Sequence, residues 1–149
     1  MNPNAILVIP RIFLGVAFLL TDIFKILNPT AFRQQMIDLL NRWPSFGWYK
    51  SFALSTVIPH AGAFSVLIMA AELYVGIAML LGLTTRLAAV VALFLVINYL
   101  CAKGSMPWNP SSVDASDIIL CLVVLIGAAG RTFGIDSFLY KRYPNVPVW

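Results

Sequence analysis

The chain is poor in the groups that most soluble chemistry uses. Only 11% of its 149 residues are charged, and it has one histidine and two cysteines. A single histidine excludes bis-histidine haem ligation within the chain, and two cysteines without a CxxC spacing make neither a zinc site nor an iron–sulfur cradle. There is no glycine-rich phosphate loop and no nucleophile triad. A basic stripe is missing too: the ten Lys and Arg residues stand singly beside apolar stretches. The net charge of +4 and pI near 9.3 therefore point to anionic lipid headgroups rather than to nucleic acid.

What the chain has in abundance is apolar sequence. Hydrophobic residues make up 60% of it and mean hydropathy is +0.88, far above a soluble domain of this length. Crossing a bilayer takes about 20 apolar residues at 1.5 Å rise, and four runs approach that length, at residues 5–26, 57–83, 87–102 and 115–130. The expectation is an all-α integral membrane protein, one domain folded as an antiparallel four-helix bundle, with spans near 5–27, 58–83, 86–103 and 113–130 and a tail over 131–149. The first run carries Arg11 and Asp22 and has no small-residue cleavage site after it, so it reads as a retained helix rather than a signal peptide.

Between the first two spans lies the one long connection. Over residues 30–43, Phe32, Met36, Leu39, Leu40 and Trp43 recur at helical spacing opposite Arg33, Gln34, Asp38, Asn41 and Arg42, which predicts an amphipathic helix on the membrane surface. Trp43, Trp48 and Trp108 fall on that same side, here called the loop side, as an interfacial belt. Basic residues are balanced. Arg11, Arg86, Arg131, Lys141 and Arg142 lie on the side of the termini, against Lys25, Arg33, Arg42, Lys50 and Lys103 on the loop side, so charge sets no orientation.

Polar residues inside the spans share helix faces. Arg11, Gly15, Phe18, Asp22 and Lys25 are spaced four, three, four and three apart; Ser65, Met69, Glu72, Gly76 and Met79 form a second stripe; Asn98 with Cys101, and Asp114, Asp117 and Cys121, form two more. Charges in hydrocarbon are costly and face the interior. The candidate polar site is therefore Arg11, Asp22, Lys25, Glu72, Arg86 and Asp117. Each has a plain structural reading beside it. Asp22 with Lys25 suits a local ion pair, and Asp114 and Asp117 after Ser111 and Ser112 suit the first turn of a helix. Glu72 is too deep to reach the interface; it is hydrogen-bonded across helices or paired with Arg11, Lys25 or Arg86. Cys101 and Cys121 read as two small buried hydrophobes, with a redox pair as the alternative. His60, after Pro59, reads as a structural or interfacial residue, with axial ligation of a haem or chlorin as the alternative.

Three segments resemble the DoxX/DoxD family. RIFLGVAFLLTDIFKILNP (residues 11–29) looks like that family's first helix, AELYVGIAMLLGLTTRLAAV (71–90) is similar to its most recognisable segment, and GAAGRTFGIDSFL (127–139) resembles its closing element. Asp22 departs from the pattern, standing near where the family usually has glycine. The resemblance implies a four-helix membrane protein related to the small membrane subunit of thiosulfate:quinone oxidoreductase, and it carries over Arg11, Lys25, Glu72, Arg86 and Asp136. Two functions follow as expectations. One is a noncatalytic subunit that anchors or stabilises a larger redox complex. The other is a quinone-interacting subunit in which Glu72 or Asp22 exchanges protons with a headgroup near Arg11, Lys25 or Arg86. A solute path ranks last, for want of inverted repeats. The expected setting is a bacterial or archaeal cytoplasmic membrane, with lipid and protein subunits as partners, no metal, no intrinsic cofactor, and quinone as the candidate ligand.

Overall fold

Proline in a helix is tolerated where no backbone donor is needed, and the first helix, α1 (Val8–Leu27), places Pro10 in its opening turn. Helix α2 (Phe32–Arg42) follows, then the short α3 (Gly47–Phe52), which runs into a π-helical turn at Ala53–Val57. The rest comprises α4 (Ala61–Leu81), α5 (Thr85–Lys103), α6 (Val113–Gly127), a 3-10 turn at Ala129–Arg131 and α7 (Ile135–Arg142). The structure, a computed structural model, describes residues 6–27, 31–104 and 113–146. Trp108, Ser111, Ser112 and Trp149, given interfacial or capping roles above, lie outside these.

Among the described residues two helices, α4 and α5, are long and apolar enough to cross a membrane by length and composition. Helix α1 has 20 residues but carries Arg11, Asp22 and Lys25, and α6 is described over 15 residues. Helix α1 packs on α4, α4 on α5, α5 on α6, and α6 back on α1, closing a ring. Inside it Leu14, Val75, Met79, Ala88, Ala89, Ala92, Cys121 and Val124 are fully buried. Outside, Val66, Leu67, Phe94 and Ile126 are largely exposed, so the helices are apolar on every face, as lipid rather than water demands.

Close approach of α1 and α4 depends on glycine. A Cβ at Gly76 would lie 2.6 Å from the Leu19 side chain and 3.3 Å from the Gly15 carbonyl oxygen, which is the small-residue packing that lets helices associate in lipid. This crossing sets the register that brings the far ends of α1 and α4 together.

The long connection holds two helices rather than the single surface helix expected. Pro59 cannot donate a backbone bond, and α4 begins only at Ala61, preceded by the π turn in which Ile58 N donates to the Ala53 carbonyl at 2.9 Å. The linker between α2 and α3 docks on the end of α5. Ser45 Oγ donates to the Ala102 carbonyl at 2.5 Å and Phe46 N to the Cys101 carbonyl at 3.3 Å, satisfying two carbonyls that a helix C-terminus leaves open. Leu40, Tyr49, Ala53 and Ala102 form a small core beneath this cap. Trp43 and Trp48 stay exposed on it.

Candidate functional site

The buried charges separate into two clusters at opposite ends of the ring. On the side of the termini, Arg11 is 2% exposed and donates from Nη1 to the carbonyls of Ala129 (3.2 Å) and Thr132 (3.4 Å) and from Nη2 to that of Phe133 (3.0 Å). Asp136, completely buried, accepts from the backbone N–H groups of Thr84 (2.6 Å) and Thr85 (2.7 Å). It therefore caps α5 from a segment about 50 residues further along the chain. Its own N–H donates to the Gly82 carbonyl at 2.8 Å. Gly82, with φ of +63°, ends α4 here, and three non-glycine residues with positive φ (Thr84, Ala128 and Phe133) lie in the same region. Such conformations persist only where surroundings over-determine them; Arg11 and Asp136 supply that constraint.

Toward the loop side, Lys25 Nζ donates to both oxygens of Glu72, at 2.5 and 2.6 Å, and to the Tyr99 hydroxyl at 3.1 Å. The Tyr99 hydroxyl donates in turn to Glu72 Oε1, so Glu72, 1% exposed, is held from α1 and from α5 at once. Lys25 remains 25% exposed. Asp22, one turn before it, is 1% exposed, and both its carboxylate oxygens are buried without a hydrogen-bond partner among the described residues. Lys25 and Glu72 act on it only through space. The local Asp22–Lys25 ion pair is thus replaced by the interhelical Lys25–Glu72 pair.

Beside this cluster lies a cavity of about 400 Å³. Lys25, Tyr99, Asn98 and Gln35 are its polar lining; Phe32, Met36 and Leu39 roof it from α2; Phe64, Leu67, Ile68 and Ala71 line it from α4 and Phe94 and Leu95 from α5. Volume and lining fall in the range of small-molecule sites, about 300–1,000 Å³ with mostly apolar walls and few placed polar groups.

Of the sequence-derived candidates, the structure gathers Asp22, Lys25 and Glu72. Arg11 stands at the opposite end with Asp136. Arg86 is half-buried with no partner for its Nε and is not bonded to Glu72. Asp117 lies on α6 within electrostatic range of Asp114 and Lys103, where Lys103 Nζ and Asp114 tie the ends of α5 and α6 at 2.9 and 2.8 Å. Cys101 packs against the small core under α2, whereas Cys121 belongs to the main core; both are free thiols. His60 is exposed, its Nδ1 2.9 Å from the Thr56 carbonyl. Tyr99 was missed: Asn98 was taken as the inward residue of α5, yet its amide turns back onto the Phe94 carbonyl at 2.8 Å. The phase that buries Ala88, Ala92 and Leu95 extends to Tyr99, which was the available signal.

Buried ion pairs on helices apolar all round define an all-helical membrane protein with polar chemistry in its interior. The chain belongs to the DoxD family: the family model described as TQO small subunit DoxD matches residues 6–148. That family is the small membrane subunit of thiosulfate:quinone oxidoreductase, a membrane redox complex. No solved structure matches the chain.

Proposed function

We propose that the chain is an antiparallel four-helix membrane subunit of a redox assembly and that its loop-side cavity receives the headgroup of a lipophilic quinone. The observation that carries this reading is the apolar cavity walled by Lys25 and Tyr99. The fit is chemical: a flat apolar ring meets the aromatic and aliphatic walls, and a carbonyl oxygen on its edge meets the Lys25 ammonium, which has donors beyond those given to Glu72. When bound, a quinone supplies two-electron, two-proton carrier chemistry. Glu72 balances the Lys25 charge in a medium where an unpaired ammonium is costly, and it keeps the Tyr99 hydroxyl oriented. Lys25 and Tyr99 can hold a proton at the cavity wall, with Glu72 and Asp22 behind them as acceptors. Electrons come from a partner subunit.

The test is equilibrium binding of a benzoquinone to the purified chain in detergent, wild type against Lys25→Met and Tyr99→Phe, with thermal unfolding as the folding control. A loss of about tenfold or more in affinity, or about 1.4 kcal/mol, is expected for Lys25→Met. Unchanged binding in folded Lys25→Met would refute the assignment. Anchoring of a larger complex is favoured by a different feature. Helix α7 and the turn before it expose Phe133 and Phe138 on the side of the termini, far from the cavity. Substituting both by Ser should release partner subunits on co-purification while benzoquinone binding to the chain persists.

A further inference from the structure

The cavity does not end at buried residues. Tyr49, Val57, Leu95 and Ala102 on its wall are at most 6% exposed, but Leu67 (64%), Phe94 (65%) and Phe52 (42%), which line the same cavity, are largely uncovered. A wall that runs from closed to open residues has a mouth, and these three side chains mark it. Its depth follows from helix geometry. Leu67 lies six residues inside the loop-side start of α4 at Ala61, and Phe94 nine residues inside the loop-side end of α5 at Lys103. At 1.5 Å per residue these are about 9 and 14 Å below the helix ends, within a hydrocarbon layer about 30 Å thick. Toward the aqueous face the cavity is roofed by α2, whose linker is fastened to α5 through Ser45 and Phe46.

We infer that the cavity opens sideways into the bilayer between α4 and α5, through a portal formed by Leu67, Phe94 and Phe52, and that its ligand is a membrane-dissolved lipid whose polyprenyl or alkyl tail stays in that portal while its head lies against Lys25 and Tyr99. The occupant follows from continuity: a polar pair stands at the inner wall, the lining from there to the mouth is apolar except for Asn98 and Gln35, and the mouth is at a depth where an acyl or isoprenoid chain is the solvent. A water-soluble ligand would require a path past α2. The portal makes Leu67 and Phe94 determinants of specificity for the tail and not for the head. This inference rests on the cavity being the ligand site.

Two benzoquinone probes separate the two claims, one with a decyl tail and one with a methyl group in its place. Binding of each is measured to the full chain in detergent for wild type, Leu67→Trp and Phe94→Ala, and each variant-to-wild-type ratio cancels the probe's partitioning into micelles. Leu67→Trp narrows the mouth and is expected to weaken the decyl probe about tenfold while leaving the methyl probe within about twofold. Phe94→Ala, a truncation on a lipid-facing position, shifts the same selectivity should the first variant not fold. If folded variants bind both probes as wild type does, or lose both equally, the portal is wrong and the cavity assignment stands. Failure of the wild type to bind either probe ends both.

Discussion

The two ends of the helix ring use buried charge in opposite ways. At the end holding the termini, Arg11 and Asp136 spend their hydrogen bonds on backbone: three carbonyls of the segment after α6 and two N–H groups at the start of α5. At the loop side, Lys25, Glu72 and Tyr99 bond to one another, Lys25 and Tyr99 face a cavity, and Asp22 has no partner. The first cluster fixes a turn that several strained residues need. The second is bound side chain to side chain, which leaves its geometry free to respond to a ligand. A buried charge by itself therefore says little about function; whether its partners are backbone or other side chains beside a void says more.

The comparison breaks first if Arg11 proves dispensable. Arg11→Met leaves three carbonyls without a donor, each worth about 1–3 kcal/mol when buried, and should destabilise the fold by roughly 4 kcal/mol, read as lost expression or a large drop in thermal midpoint in detergent. Quinone binding by whatever fraction remains folded should be normal. A mild effect would mean that the turn holds its strained residues without the guanidinium.

Glu72→Leu is the next largest. It strands Lys25, a change that costs about 3–5 kcal/mol for a fully buried pair; since Lys25 is 25% exposed, the lower figure, about 3 kcal/mol, is expected. Glu72→Gln keeps an acceptor for Lys25 and should be clearly milder. Equal unfolding midpoints for the two variants would show that the carboxylate is idle.

Tyr99→Phe sharpens the contrast between stability and ligand binding. It removes one hydroxyl from the bonded triangle and should lower stability by only about 1 kcal/mol, yet weaken benzoquinone binding several-fold. The reverse pattern, a large loss of stability with intact binding, would move Tyr99 into the class of Arg11.

Smallest of all is Asp22→Asn. Because neither oxygen of Asp22 has a partner to lose, the amide should change the unfolding midpoint by no more than the equivalent of about 0.5 kcal/mol, or raise it. A loss of several kcal/mol would reveal a donor that holds this carboxylate.

Composition by itself determined the solvent. With so few charges and helices apolar all round, only lipid can surround them, and the family-like segments were legible for the same reason, since most of each is local helix and turn. Helical phase also sorted the polar residues to inner faces. Phase gives an angle about one helix axis, however, and not the height at which two helices meet. For Glu72 three cations were possible, and the choice of Lys25 was made by the Gly15–Gly76 crossing, a contact between residues 61 positions apart. The same limit hid Tyr99, since one residue of phase error exchanges it with Asn98. It also hid the role of Asp136, whose backbone partners lie about 50 residues away. The cavity was least legible of all: a void is a property of how α2, α4 and α5 fail to touch, and no local pattern of residues encodes where packing stops.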